Sequence, residues 1–275
     1  MDTIQIKNLE LFANHGVFPE ETKLGQKFQV NAILYTDTRE AGLTDDLTKS
    51  IHYGEISQEI TRFLQKNTYK LIETAAEQLA EYLLLNTPHL KQIELEILKP
   101  WAPVGLPLET VSVKIRRGWH TAYLALGSNM GDKKSYLEEA VEKMGQIKGV
   151  IVQQVSEFIE TEPYGGVEQD SFFNGCMKVT TLLTPMELLK EMNRIEAEAG
   201  RERLIHWGPR TLDLDMIFYD DLITEDEILI LPHPDMANRD FVLKPLAELC
   251  PYKCHPITKK RVCEMLSELE VGSEK

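Results

Sequence analysis

The sequence predicts an α+β protein made of two consecutive domains, and three observations predict it. Residues 1–118 arrange their apolar periodicity as ββααββ. The chain beyond them reads βαββαβ with short helices appended. Between the two, Arg116-Arg117-Gly118-Trp119 interrupts the alternation and a fresh strand begins at Thr121. A chain of 275 residues accommodates two ordinary domains. The division expected is 1–118 and 119–275.

Each element follows from its own pattern. Residues 3–12 and 27–37 have strand character; in the second, Phe28, Val30, Ala32 and Leu34 alternate with Gln29, Asn31 and Ile33. Helical spacing then takes over. Ile56, Ile60, Phe63 and Leu64 predict a helix over 54–66, and Leu71, Ala75, Ala76, Leu79 and Leu83 predict another over 70–86. Two more alternating runs, Ile93-Leu95-Ile97 and Val111-Val113-Ile115, flank a loop containing Pro100, Pro103, Gly105 and Pro107. In the second half the pattern predicts strand 120–126, helix 134–146, strand 150–159, strand 172–183, helix 185–199 and strand 211–219. That order suggests a ferredoxin-like α+β core.

Composition narrows the function. At 43% hydrophobic and 27% charged residues the chain reads as a soluble globular protein, and no apolar run approaches a membrane span. The N-terminus shows neither a basic region nor a long apolar stretch, which predicts a cytoplasmic protein without membrane attachment. A net charge of −14 argues against nucleic acid as a partner, because such binding runs on clustered cations. Cys176, Cys250, Cys254 and Cys263 are expected as free thiols, since Cys250, Cys254, His255 and Cys263 lack the paired spacing of a zinc site.

The segment from Trp207 to Asp215, WGPRTLDLD, concentrates the chemistry. Strand alternation puts Asp213 and Asp215 on one face and Leu212, Leu214 and Met216 on the other. By itself Asp-Leu-Asp fits a solvated strand face. Its neighbours change that reading: Arg210 precedes the strand, Trp207-Gly208-Pro209 forms a stiff turn, and Arg201 and Arg203 lie just upstream. Carboxylates that hold hard cations beside forked arginine donors suit transfer of a polyphosphate group. No Walker-type loop is present; Gly127-Ser128-Asn129-Met130-Gly131 follows a strand but lacks the lysine.

At these residues the chain resembles hydroxymethyl-dihydropterin pyrophosphokinase, from about Thr121 to Leu266. The resemblance is carried by ALGSNMGD (Ala125 to Asp132), TEPYGG (Thr161 to Gly166), FFNG (Phe172 to Gly175), GRERLIHWGPRTLDLD (Gly200 to Asp215) and PHPDMANRDFVLKPL (Pro232 to Leu246). It implies that Asp213 and Asp215 bind two Mg²⁺ ions and that Arg201 and Arg210 contact phosphates. Trp207 and Arg203 would sit on a loop that closes over the substrates. Asn174 would hydrogen-bond the pterin, Phe172 and Phe241 would flank its ring, and Glu196, Asn193, His233 and Arg239 would serve ATP.

In the first domain Lys99 ends a strand before the Pro-rich loop, and Glu73 lies at the start of a predicted helix. Either residue read singly fits an ordinary solvated position. A partly buried lysine can act as a base, and a carboxylate can accept two parallel hydrogen bonds from an amino-pyrimidinone edge. HGVFPEE (His15 to Glu21), IHYGE (Ile51 to Glu55), LIE (Leu71 to Glu73) and LKPWAPVG (Leu98 to Gly105) resemble dihydroneopterin aldolase over residues 1–117.

That resemblance implies the tunnelling fold, in which subunits assemble into rings with sites at their junctions, and hence a homo-oligomer formed through the first domain. The implied reaction is retro-aldol cleavage of dihydroneopterin to hydroxymethyl-dihydropterin and glycolaldehyde, needing no cofactor. Lys99 would be the base, Tyr53 a proton donor or acceptor and Glu21 their orienting partner, with Ile72 and Glu73 holding the pterin. The two resemblances agree chemically: the alcohol released by the first domain is the acceptor for diphosphate from ATP in the second.

Overall fold

A computed structural model describes residues 1–162, 170–200 and 211–273. It divides into two compact units, Met1–Trp119 and His120–Lys275. Among the described residues no helix is long and apolar enough to cross a membrane.

The first unit is an antiparallel four-stranded sheet in the order β1-β2-β3-β4, made by β1 (Asp2–Ala13), β2 (Gln26–Thr36), β3 (Gln92–Lys99) and β4 (Val111–Gly118). The short helices α1 (Pro19–Leu24) and α2 (Arg39–Thr44) flank β2, and α3 (Tyr53–Lys66) and α4 (Ile72–Asn86) follow. Strict alternation along β2 buries Phe28, Val30, Ala32 and Leu34. Val30, Ala32 and Leu34 pair with Ile97, Leu95 and Ile93 of β3, and these, with Ile60 and Leu64 of α3 and Leu79 and Leu83 of α4, are all essentially without exposure. Burying one such side chain contributes about 2 kcal/mol, so this face holds the unit together.

Two departures from simple alternation have physical causes. In β1 the apolar set changes parity from Ile4 and Ile6 to Leu9, Leu11 and Ala13. The register slips between Ile6 and Leu9, and Asn8 adopts φ 53°, so an extra residue is absorbed as a bulge and both sets face the core. The second helix starts at Ile72 rather than at residue 70. Both backbone polar groups of Tyr69 are committed elsewhere, to His15 Nδ1 and Gly16 N, so the chain cannot turn helical there.

The second unit is a sheet in the order β6-β8-β5-β9, composed of β5 (His120–Ser128), β6 (Val150–Val155), β8 (Phe172–Thr181) and β9 (Asp213–Tyr219), with β7 (Ile159–Thr161) paired to β8. Helices α5 (Lys133–Gly145) and α6 (Pro185–Glu198) complete the βαββαβ order expected of a ferredoxin-like core. They cover one face through Leu137, Met144, Leu188 and Met192. The hairpin β10 (Thr224–Glu225) and β11 (Ile230–Leu231) leads to α7 (Asp240–Leu249) and α8 (Val262–Ser273). Val242, Leu243 and Leu246 of α7 and Val262 and Met265 of α8 close the opposite face over Tyr123, Cys176, Ile217 and Phe218.

The strand expected over 150–159 is broken in two. Ser156 exchanges hydrogen bonds with Cys176: its N donates to Cys176 O and its Oγ accepts from Cys176 N, both at 2.9 Å. Phe158 then lies where a side chain at position 175 would stand, a place left open by Gly175. The chain bends over β8 and resumes pairing only at Ile159.

Candidate active sites

In the first unit the sequence brings Lys99 and Glu21 together. Lys99 Nζ lies 2.5 Å from Glu21 Oε1, with 11% and 8% of the two side chains exposed. Lys99 gets there as the last residue of β3, while Glu21 occupies the first turn of α1. The carboxylate also accepts from Gln26 Nε2 and from Phe18 N, each at 3.0 Å. Burial alone would raise the Glu21 pKa; the bonds from Lys99, Phe18 and Gln26 outweigh it and hold the carboxyl below its ordinary range. Gly16 makes this approach possible. It has φ 155°, and a Cβ there would overlap the Glu21 carboxylate.

The other expected residues lie at the starts of the two long helices of this unit. Tyr53 opens α3, where His52 Nδ1 caps the helix by accepting from Glu55 N at 3.3 Å, and its side chain is 66% exposed. Ile72 is buried and Glu73 exposed in the first turn of α4. Two neighbours of the Lys99–Glu21 pair went unnoticed in the sequence. Gln26 carried a signal, because it sits at a core-facing position of a strand whose other inward residues are mostly apolar. His15 carried none beyond its place in HGVFPEE. It is fully buried, and burial together with the nearby charge of Lys99 lowers its pKa to about 4.

In the second unit three strands place the site. Asn174 of β8 pairs with Gly127 of β5, and Gly127 pairs with Asp213 of β9, so an amide, a glycine and a carboxylate form one row on one face. A Cβ on Gly127 would lie 3.1 Å from Asn174 Oδ1 and 3.9 Å from the Asp213 Cβ, so the glycine keeps a flat gap between the two polar side chains. Thr161 of β7, the register partner of Phe172, accepts at Oγ1 from Asn174 Nδ2 at 2.7 Å and thereby turns the amide oxygen toward the gap. Phe172, two residues before Asn174 on β8, shares its face and is partly buried.

One row further in, Cys176, Ala125 and Asp215 align, and α7 caps them through a contact from Cys176 Sγ to Val242 O at 3.7 Å. His233 Nε2 and Arg239 Nη1 each lie 3.9 Å from Asp215 Oδ2. Arg239 is fixed by Asp235 at 2.9 Å and lies over the Phe241 ring at 5.8 Å. His233 N donates to Ile217 O, which ties this loop to β9. Burial lowers the His233 pKa, and the Asp215 carboxylate works against that shift. Asn193 is exposed on α6. Glu196 is buried, and its Oε1 accepts from Leu214 N at 2.7 Å, so the residue expected at the nucleotide also holds the acidic strand in place. Arg201, Arg203, Trp207 and Arg210 lie outside the described residues.

Asp213 and Asp215 are partly exposed on the edge strand while Leu212, Leu214 and Met216 are buried, as alternation requires. Among the described residues no three His, Cys, Asp or Glu side chains converge on a metal-sized point. Two partly exposed carboxylates fit magnesium, which keeps water and takes its remaining ligands from substrate phosphates.

Comparison with known proteins agrees with the geometry. The family model of 7,8-dihydro-6-hydroxymethylpterin-pyrophosphokinase matches residues 123–251, and that of dihydroneopterin aldolase matches residues 4–116. The pyrophosphokinase of Bacillus subtilis is 48% identical over 129 residues, covering 47% of this chain and 77% of that protein. The folic acid synthesis protein fol1 of Schizosaccharomyces pombe is 32% identical over 98% of this chain and 37% of its own length. The bifunctional protein FolKE of Lactococcus lactis is 47% identical over 55% of this chain and 44% of its own. The chain therefore spans about two fifths of the length of these last two relatives. Through its second unit the chain belongs to the 7,8-dihydro-6-hydroxymethylpterin-pyrophosphokinase family, and its first unit is similar to dihydroneopterin aldolase.

Proposed function

We propose that the chain carries out two successive steps of folate biosynthesis: the first unit cleaves dihydroneopterin to hydroxymethyl-dihydropterin and glycolaldehyde, and the second transfers diphosphate from ATP to the hydroxymethyl group and releases AMP. The observation that carries this reading is the row Asn174–Gly127–Asp213, which sets an amide beside the acidic strand with a side-chain-free position between them.

In the second step Asn174 reads the pterin edge between Phe172 and Phe241, so that the hydroxymethyl oxygen points along the row to Asp213 and Asp215. Asp213 and Asp215 would hold magnesium, which would neutralise phosphate charge when ATP is bound. Arg239 and His233, both close to Asp215, would meet nucleotide or phosphate oxygens. Arg201, Arg203, Arg210 and Trp207 would bring further donors and a closing aromatic, and Asn193 and Glu196 would support the nucleotide side.

In the first step Lys99, once it has passed a proton to the Glu21 carboxylate it touches, accepts the proton of the side-chain hydroxyl as the carbon–carbon bond breaks. The electron pair passes into the substrate's own C=N bond, and a proton returns to the carbon that was cut. Tyr53 is a donor or acceptor in this exchange, and Ile72 and Glu73 hold the ring. Tyr53 and Glu73 are exposed, as are Phe18 and Trp101 nearby in sequence to the site residues, which favours a site completed by a second copy of the first unit. The deciding experiment supplies purified protein with dihydroneopterin, ATP and magnesium. Glycolaldehyde and AMP are expected; ligand binding without either product would sink the proposal.

A further inference from the structure

His15 has no role in the chemistry above, yet it packs between Tyr69, three residues before Ile72, and Phe28, the ring over which Lys99 Nζ lies. Its Nδ1 accepts from Tyr69 N at 3.2 Å while Gly16 N donates to Tyr69 O at 2.9 Å, so two consecutive residues grip both backbone polar groups of Tyr69. The His15 and Tyr69 rings stack at 5.6 Å, and Tyr69 stacks in turn on Phe63 of α3 at 6.4 Å. On its other side the His15 ring meets Phe28 edge-on at 5.2 Å, the same ring over which Lys99 Nζ lies at 6.0 Å.

The grip works only with a neutral imidazole. A backbone N–H can only donate, so Nδ1 must be unprotonated and the ring hydrogen sits on Nε2. An imidazolium would lose the Tyr69 bond and repel Lys99; burial and the Lys99 charge keep the ring neutral down to about 4. What the grip controls follows from chain order. Tyr69 precedes Ile72 and Glu73 by one turn, and α4 begins only where the pinned backbone ends. Gly16, the other half of the grip, is the residue against which the Glu21 carboxylate rests.

We propose that His15 is a positioning residue which, by gripping Tyr69, holds the start of α4 with Ile72 and Glu73 in fixed geometry to the Lys99–Glu21 pair. Ring capture and proton transfer are thereby set by one side chain that touches neither the ring nor the transferred proton. The proposal rests on the aldolase reading of the first unit.

Two variants of the full chain test it. His15→Phe keeps an aromatic ring against Phe28 and Tyr69 but removes the acceptor; His15→Asn keeps an acceptor near the Nδ1 position and gives up the ring. For His15→Phe we expect amide hydrogen exchange across residues 69–73 to quicken about tenfold, with KM for dihydroneopterin raised and kcat for glycolaldehyde release lowered by about tenfold each. AMP formation from supplied hydroxymethyl-dihydropterin should not change. His15→Asn should regain most of the exchange protection and of kcat. Equal defects in the two variants would reduce His15 to packing and overturn the proposal, as would wild-type exchange and kinetics in His15→Phe. If the unaltered chain releases no glycolaldehyde, the aldolase reading fails, and the exchange comparison of the two variants alone decides whether the grip exists.

Discussion

Lys99 Nζ and Glu21 Oε1 approach to 2.5 Å in a place almost closed to water. Neither member of such a pair is replaceable without cost, because deleting one leaves the other charge buried and uncompensated. Lys99→Ala is expected to lower glycolaldehyde release by about a thousandfold while AMP formation from supplied hydroxymethyl-dihydropterin continues. Loss of both activities would contradict separate sites.

Gly16 supports that pair by having no side chain. Gly16→Ala would force the Glu21 carboxylate out of its seat, at a backbone angle that also disfavours alanine. The expected result is a first unit destabilised by about 2 kcal/mol or more, with cleavage lost in proportion. Urea unfolding followed by a probe in the first unit measures it; an unchanged midpoint would contradict the packing described.

In the second unit, Asp215→Ala should abolish AMP formation and weaken Mg-ATP binding while glycolaldehyde release persists. Chelation of magnesium should reproduce that pattern in the unaltered chain, because under the proposed scheme only the second step would use the metal. Coupled assays of AMP and glycolaldehyde on one sample separate the two outcomes.

Gly127→Ala narrows the gap without touching a charge. Its Cβ would stand 3.1 Å from Asn174 Oδ1, in the space assigned to the ring. KM for hydroxymethyl-dihydropterin should rise about tenfold while unfolding changes by less than about 1 kcal/mol. Titration of pterin binding provides the check, and unchanged affinity would place the ring elsewhere.

The pH dependence of the first unit should carry the mark of His15. Its pKa falls from 6.5 to about 4 on folding. Between those values the unfolded chain binds the extra proton, so stability is present above about pH 6.5 and is lost as pH falls toward about 4. The full loss is about 3 kcal/mol, of which about 2 kcal/mol is gone by about pH 5. Glu21, whose pKa is also held down, adds loss in the same direction as pH falls below the ordinary carboxyl value of 4.5. Denaturant unfolding of unaltered chain and His15→Asn across this range shows the slope and its removal.

Local pattern revealed most of the elements. Period-two alternation marked β2 and β3, and helical spacing marked α3 and α4, because burying one face imposes that periodicity on the residues themselves. It failed where a long-range contact overrode the local rule. The β1 bulge at Asn8, the delayed start of α4 behind Tyr69, and the break between β6 and β7 at Ser156 all depend on a partner far along the chain.

The sequence by itself determined the two-domain order, the inward and outward faces of the strands and the pairing of Asp213 with Asp215, since each is a property of neighbours along the chain. Only the tertiary structure decided that Glu21 reaches Lys99 across 78 positions, that Asn174, Gly127 and Asp213 form one row, and that Glu196 holds β9 at Leu214. The reason is physical. Register between strands and the burial of an ion pair are set by how whole faces pack, and no residue carries that information in its immediate neighbours.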